Sequence, residues 1–258
     1  MVSLMTVIGL SGLNSIFLKN STPQTPADAT STDTNQSNSN LIAMQKISLT
    51  TKDNMKIAAD LYPVVGSVGW IILSHAMPKT KESWDDLAKS LQAQGFESIA
   101  IDLRGHGESD GGPDGYQKFT NKETQESILD LEAAADYLVQ ERLASRSRIS
   151  VAGASVGANL SLEYAINHPE TTKIVLLSAG LNYQGLETKP LAEKLQKGQS
   201  ILFVSSKDDD GNAAENQELS DSVPSSTPKQ IKIYDTAGHG TDMLKEKDLK
   251  DIIIGFLK

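Results

Sequence analysis

An α/β fold is what this sequence predicts: a mostly parallel central sheet of about eight strands, flanked by helices on both faces. Two patterns predict it. From about residue 44 onward, short β-branched or continuously apolar runs alternate with segments of helical periodicity. One strand-to-helix junction also carries the pentapeptide Gly153-Ala154-Ser155-Val156-Gly157. The 258 residues suit a single domain of this kind, and 38% hydrophobic residues supply a core for it.

Each element has its own signal. Residues 46–50 and 56–62 alternate apolar and polar side chains around Asp53-Asn54, the pattern of an opening hairpin. Trp70-Ile71-Ile72-Leu73 is continuously apolar, as a strand buried on both faces should be. Trp84, Leu87, Ala88 and Leu91 then recur at helical spacing, with Gly95 placed to end that helix. After the strand Ile99-Ala100-Ile101, Thr120-x-x-Glu123 reads as a capping box opening one helix, whose apolar stripe is Ile128, Leu131, Ala135 and Leu138. Residues 149–152 form the next strand, and the helix after the pentapeptide stops before Pro169. Residues 174–177, 201–204 and 231–234 read as further strands, with room for one short helix around 191–197. Leu249, Ile252, Ile253, Phe256 and Leu257 make the apolar face of a final helix.

The composition excludes several function classes. A net charge of −9 and the absence of any lysine- or arginine-rich block argue against nucleic-acid binding. With no cysteine there is no disulfide, no thiolate zinc site and no cysteine nucleophile. No metal and no organic cofactor is expected. Residues 1–19 are moderately apolar and residues 20–43 are a polar linker rich in Ser, Thr, Asn and Asp, ahead of a domain over 44–258. This arrangement favours an export signal or membrane anchor over a cytoplasmic tail, and Ala27-Asp28-Ala29 offers an A-x-A cleavage site. No basic residue precedes the apolar run, which counts against that reading.

The pentapeptide alone is weak, since glycine and serine usage produces it by chance in roughly one chain in ten of this length. Its context is what counts. A G-x-S-x-G turn between strand and helix exposes a serine Oγ at the rim of the sheet. A hydroxyl becomes a useful nucleophile when a base takes its proton and a third group orients the base. On such an elbow the acid and then the histidine follow the serine along the chain. His75 and His106 precede Ser155, and His168 sits too far along the elbow's own helix, which leaves His239 as the base. Three aspartates, Asp208, Asp209 and Asp210, follow the strand at 201–204, and counting cannot choose among them. An oxyanion hole needs two backbone N–H groups. Val156 is one, and Met77 or Ala76 the other, because Pro78 has no N–H.

Taken together, Ser155, the aspartate cluster, His239, the Ser74-His75-Ala76-Met77 loop and the octapeptide Asp102-Leu103-Arg104-Gly105-His106-Gly107-Glu108-Ser109 resemble the α/β-hydrolase superfamily. The octapeptide is very close to that superfamily's D-x-R-G-x-G-x-S turn, and its own role is read as architectural. The resemblance implies Asp209 as the acid, through alignment of Ser206-Lys207-Asp208-Asp209 with G-x-x-D, and Met77 as the first oxyanion donor. Ala76 stands where the superfamily usually has glycine. Only residues 179–200 lie where relatives insert a helical cap, so the resemblance implies a compact, uncapped, dienelactone-hydrolase-like esterase with an open site. The expected function is hydrolysis of a small carboxylic ester through an acyl-enzyme on Ser155. A peptidase or thioesterase with the same triad is the alternative within enzymes, and a catalytically silent binding protein the alternative outside them.

Overall fold

A computed structural model describes residues 42–258. The apolar segment 1–19 and nearly all of the linker 20–43 therefore lie outside the described residues, as does the export or anchoring expectation attached to them. Among the described residues no helix is long and apolar enough to cross a membrane.

The chain enters through β1 (Gln45–Thr50) and β2 (Lys56–Tyr62), the expected hairpin, then β3 (Gly69–Ser74), α1 (Asp85–Ala93) and β4 (Phe96–Ile101). Two helices, α2 (Asn121–Gln125) and α3 (Ile128–Glu141), lead to β5 (Ile149–Ala154), α4 (Val156–Asn167) and β6 (Lys173–Leu177). A two-stranded hairpin, β7 (Asn182–Tyr183) and β8 (Leu186–Glu187), and the short α5 (Lys189–Ala192) precede β9 (Ser200–Ser206). The chain ends with α6 (Asn212–Ser222), β10 (Lys229–Tyr234) and α7 (Leu249–Leu257).

Eight strands form one sheet in the order β1-β2-β4-β3-β5-β6-β9-β10. β2 pairs antiparallel with both its neighbours, and every other pairing is parallel. Side chains alternate across the central strands, so each strand feeds two cores. Ile72, Val151 and Ile174 face α3, α4, α5 and α6, whereas Leu73, Ala152 and Val175 face α1 and α7. Double coverage explains why β3, β4 and β5 are buried at every position, and why β3 reads as a continuous apolar run.

The glycines of the pentapeptide are explained by close approach. A Cβ on Gly153 would lie 2.1 Å from the Gly157 carbonyl oxygen, and one on Gly157 would lie 2.4 Å from that of Ser74. The elbow helix thus presses onto β5 and β3, and the Ser74 hydroxyl bonds the Gly157 carbonyl at 3.0 Å. The octapeptide is equally occupied. Asp102 is fully buried and accepts N–H groups of Lys81 and Glu108 and the Lys81 ammonium at 2.8–2.9 Å. Arg104 bonds Asp130 at 2.8–2.9 Å and Asp53 at 2.7 Å, while Ser109 Oγ bonds the Asp102 carbonyl at 2.7 Å. These contacts shape the turn, in keeping with an architectural role.

Three elements differ from the sequence expectation. The capping box forms, but the helix it opens ends at Gln125. Bonds of the i→i−3 type at Ser127, Leu129 and Asp130 tighten the chain there before α3 begins. The single helix expected around 191–197 is α5, earlier and shorter, and the β7–β8 hairpin ahead of it was not anticipated. Helix α6 carries Ala213, Ala214, Glu215 and Gln217 with little apolar periodicity, so its packing declares it and its pattern does not.

Candidate active site

Ser155 sits where β5 turns into α4, with φ 54° and ψ −121°. A non-glycine residue in that region carries strain on the order of 1–3 kcal/mol, held here by surrounding structure. Its N–H bonds the Leu177 carbonyl of β6 at 2.8 Å, and its carbonyl accepts from Ala158 and Asn159. The side chain therefore stands at the N-terminal end of α4, and Val156 begins the helix with an N–H that has no acceptor inside it.

The loop after β3 is oriented from below. The Ala76 carbonyl accepts the Lys79 N–H at 2.7 Å and lies 3.0 Å from His75 Nδ1. His75 Nε2 accepts the Leu103 N–H at 3.0 Å, which leaves the proton on Nδ1 to donate to Ala76. Burial, and secondarily the neighbouring His106, push the His75 imidazole down to about 4, so it stays neutral at physiological pH. A trans peptide points its C=O and N–H in opposite directions. Holding the Ala76 carbonyl inward therefore turns the Met77 N–H outward.

The candidate acid and base, Asp209 and His239, are paired with each other. His239 Nδ1 is 2.7 Å from Asp209 Oδ2 and 2.9 Å from Oδ1. Asp208 points elsewhere: its Oδ1 accepts the Ala237 and Gly238 N–H groups at 3.1 and 3.2 Å and the Ser206 hydroxyl. These bonds, the Ser206 hydroxyl first, hold the Asp208 carboxyl below the usual aspartate range. Asp208 thus fastens the loop that carries His239, while Asp209 meets its ring. That loop is also pinned by the Gly240 N–H bonding Ser178 Oγ at 2.9 Å. A Cβ on Gly240 would sit 3.3 Å from those of Ala154 and Ala76, which brings the residue after His239 against both the elbow and the loop of Met77.

The remaining histidines are engaged in structure. His75 and His106 are buried and meet edge to face, with centroids 4.9 Å apart. His168 stacks on Tyr164 and bonds Glu132 at 2.6 Å.

Sequence reasoning missed Tyr183. The β7–β8 hairpin is tied to the elbow helix by Asn159, one turn after Ser155: its Oδ1 accepts the Gly180 N–H at 3.1 Å and its Nδ2 donates to Leu186 at 3.0 Å. Tyr183 folds back over Gly180, where a Cβ would lie 2.5 Å from Cζ of the ring. Its hydroxyl lies 3.4 Å from the Ser178 carbonyl and 3.4 Å from Asn212 Nδ2, with Ser155 nearby. Burial, then the charges of Glu215 and Asp209, push the phenol up to about 12, so it remains a donor. Although no cap domain covers the site among the described residues, Ser155 is buried while His239 is partly exposed. Openness holds for the histidine and not for the serine. A lone tyrosine in a polar stretch gives no sequence signal for this role.

Residues 67–207, more than half of the chain, match the family described as serine aminopeptidase, S33, and the protein belongs to that family of α/β hydrolases. The matched region ends before His239. Among curated proteins, the AB hydrolase superfamily protein YisY of Bacillus subtilis (strain 168) is 29% identical over 111 residues, covering 42% of this chain and 37% of YisY. The match thus spans little more than a third of that relative. Among solved structures, the Pyrococcus furiosus esterase Pf2001 superposes with a TM-score of 0.69 at 19% identity, covering 83% of this chain and 91% of the esterase. A dienelactone hydrolase from Anabaena variabilis superposes with a TM-score of 0.66 at 17% identity, covering 83% and 94%. At these identities the likeness is one of fold.

Proposed function

We propose that the protein is a serine hydrolase that cleaves carboxylic esters through an acyl-enzyme on Ser155. The observation that carries this reading is the pairing of His239 Nδ1 with Asp209 at 2.7 Å, on a loop packed against the strained turn of Ser155. In the proposed cycle His239 Nε2 takes the proton of the Ser155 hydroxyl as Oγ attacks the ester carbonyl. The Asp209 carboxylate keeps the Nδ1 proton in place and stabilises the imidazolium. Negative charge gathers on the carbonyl oxygen, where the Met77 and Val156 N–H groups receive it. His239 then protonates the departing alkoxide, and water, deprotonated by the same ring, hydrolyses the acyl-enzyme.

The test is covalent labelling with a fluorophosphonate together with turnover of p-nitrophenyl acetate. The expected result is an adduct on Ser155 that His239→Ala suppresses, and loss of turnover by about 10⁵–10⁶-fold in Ser155→Ala. Labelling at another residue, or equal labelling in His239→Ala, contradicts the reading. The family description favours one further reading, an aminopeptidase. Glu215, close enough to raise the Tyr183 phenol, is a carboxylate that would meet a substrate α-ammonium. Turnover of aminoacyl p-nitroanilides exceeding that of esters, and lost in Glu215→Gln, would select it.

A further inference from the structure

Beside the candidate site lies a cavity of about 450 Å³ lined by Met77, Pro78, Tyr116, Phe119, Thr124 and Gln184, with Gln117 at its edge. Comparable cavities around Trp70 and Arg142, and between Lys189 and Ser222, lie away from Ser155. This one shares Met77 with the candidate oxyanion hole. Its lining includes Gln184, the residue after Tyr183, so the β7–β8 hairpin borders both the neighbourhood of Ser155 and the cavity. The hairpin is held there by Gln125 Nε2, which bonds the Gln184 carbonyl at 3.1 Å.

Two properties of the lining are specific. It carries two aromatic side chains held by packing: Tyr116 stacks on His106 at 4.2 Å and 11°, which fixes its ring, and a Cβ on Gly105 would lie 2.7 Å from Cζ of Phe119. It is also uncharged, because its polar members are Thr124, Gln117 and Gln184. Behind it His75 and His106 both lie on the neutral side, lowered chiefly by burial. A carboxylate or ammonium entering this space would meet no counter-charge among the lining residues. An aromatic ring would meet the rings of Tyr116 and Phe119, and aromatic pairs add about 0.5–1.5 kcal/mol beyond area burial.

The cavity's side of the site matters too. No residue of the 237–245 loop lines it. Since His239 must reach the leaving-group oxygen, the alcohol lies on the histidine side and the acyl group on the side of Met77. We propose, resting on the ester-hydrolase reading above, that this cavity binds the acyl group and selects uncharged acyl groups that carry an aromatic ring.

The test compares kcat/KM of the full chain for p-nitrophenyl acetate, butyrate, hemisuccinate and 3-phenylpropanoate, and for ethyl against benzyl acetate on the alcohol side. Gln117→Trp, at an exposed position, narrows the mouth, and Phe119→Ala removes one wall. The expected result is a preference of about tenfold for the phenylpropanoate over the acetate and an equal or larger discrimination against the hemisuccinate. Gln117→Trp should lower phenylpropanoate turnover about tenfold more than it lowers acetate turnover, with Ser155 still labelled. A flat acyl profile, equal loss on acetate and phenylpropanoate, or a change confined to the benzyl-to-ethyl ratio overturns the acyl site while leaving ester hydrolysis intact. Absence of both ester turnover and the Ser155 adduct overturns the underlying reading, and this proposal with it.

Discussion

Between Ser74 and Gly157 the functional groups are held by buried contacts, whereas between Ser178 and Leu244 they are held by hydrogen bonds nearer the surface. On the first side Ser155 stands at a strained φ between glycines that admit no side chain, and the Ala76 carbonyl is clasped by a buried neutral imidazole. On the second side Asp208 is exposed, and it fastens the loop of a histidine whose side chain is 37% exposed. The contrast fits what the proposed roles would require of each side. A nucleophile and oxyanion donors act through fixed geometry, and strain there needs dense packing to persist. A base that exchanges protons with alcohol and water needs access, and a short network of charge-assisted bonds suffices to aim it.

Four predictions bear on this contrast, in decreasing order of effect. Asp209→Asn should lower kcat by about 10⁴-fold, because the imidazole loses the partner that fixes its tautomer, with little change in the thermal midpoint. Steady-state kinetics on p-nitrophenyl acetate checks it, and near-normal turnover would remove Asp209 from the acid's role. Gly157→Ala on the packed side should destabilise the fold by about 3 kcal/mol, since its Cβ would lie 2.4 Å from the Ser74 oxygen and 2.6 Å from that of His75. Urea denaturation measures that loss, and an unchanged midpoint would show that the elbow has slack.

The third prediction concerns pH. His75 titrates at about 4 in the fold and at an ordinary 6.5 in the unfolded chain. Between these values the unfolded state binds a proton that the folded state refuses. Stability from this group is therefore full above about pH 6.5 and is lost as pH falls towards about 4. His75→Asn should be less stable at neutral pH and show a shallower decline over that window in urea midpoints. An identical slope would place the titration elsewhere. The smallest effect is expected at the exposed clasp: Asp208→Asn should reduce kcat about tenfold, by loosening the loop that aims His239, without changing Ser155 burial. A loss as large as that of Asp209→Asn would mean that the two aspartates have been assigned in the wrong order.

Much of the fold was legible because both periodicities are strong. The runs at Trp70–Leu73 and Ile174–Leu177 lie on doubly covered strands, and a strand buried on both faces can hold little else. What escaped was written in weaker code. The β7–β8 strands are two residues each, too short for any alternation, and α6 is carried by buried Asn212 and Asn216 bonding the Ala179 carbonyl. The break after Gln125 follows from Asp130 reaching back to Arg104, a partner 26 residues away.

By itself the sequence determined the order of the main-sheet strands and of most helices, the turn at Ser155 and the residue types at its neighbours, since each depends on periodicity or on steric limits acting within a few residues. Only the tertiary structure decided which aspartate meets His239, which way the Ala76–Met77 peptide faces, and that Tyr183 stands beside Ser155. Adjacent aspartates have the same local preferences, and a peptide plane or a phenol takes its direction from groups brought close by chain segments far apart in sequence. Hydrogen bonds and packing act over a few ångströms in space, so their partners are set by the assembled sheet rather than by position along the chain.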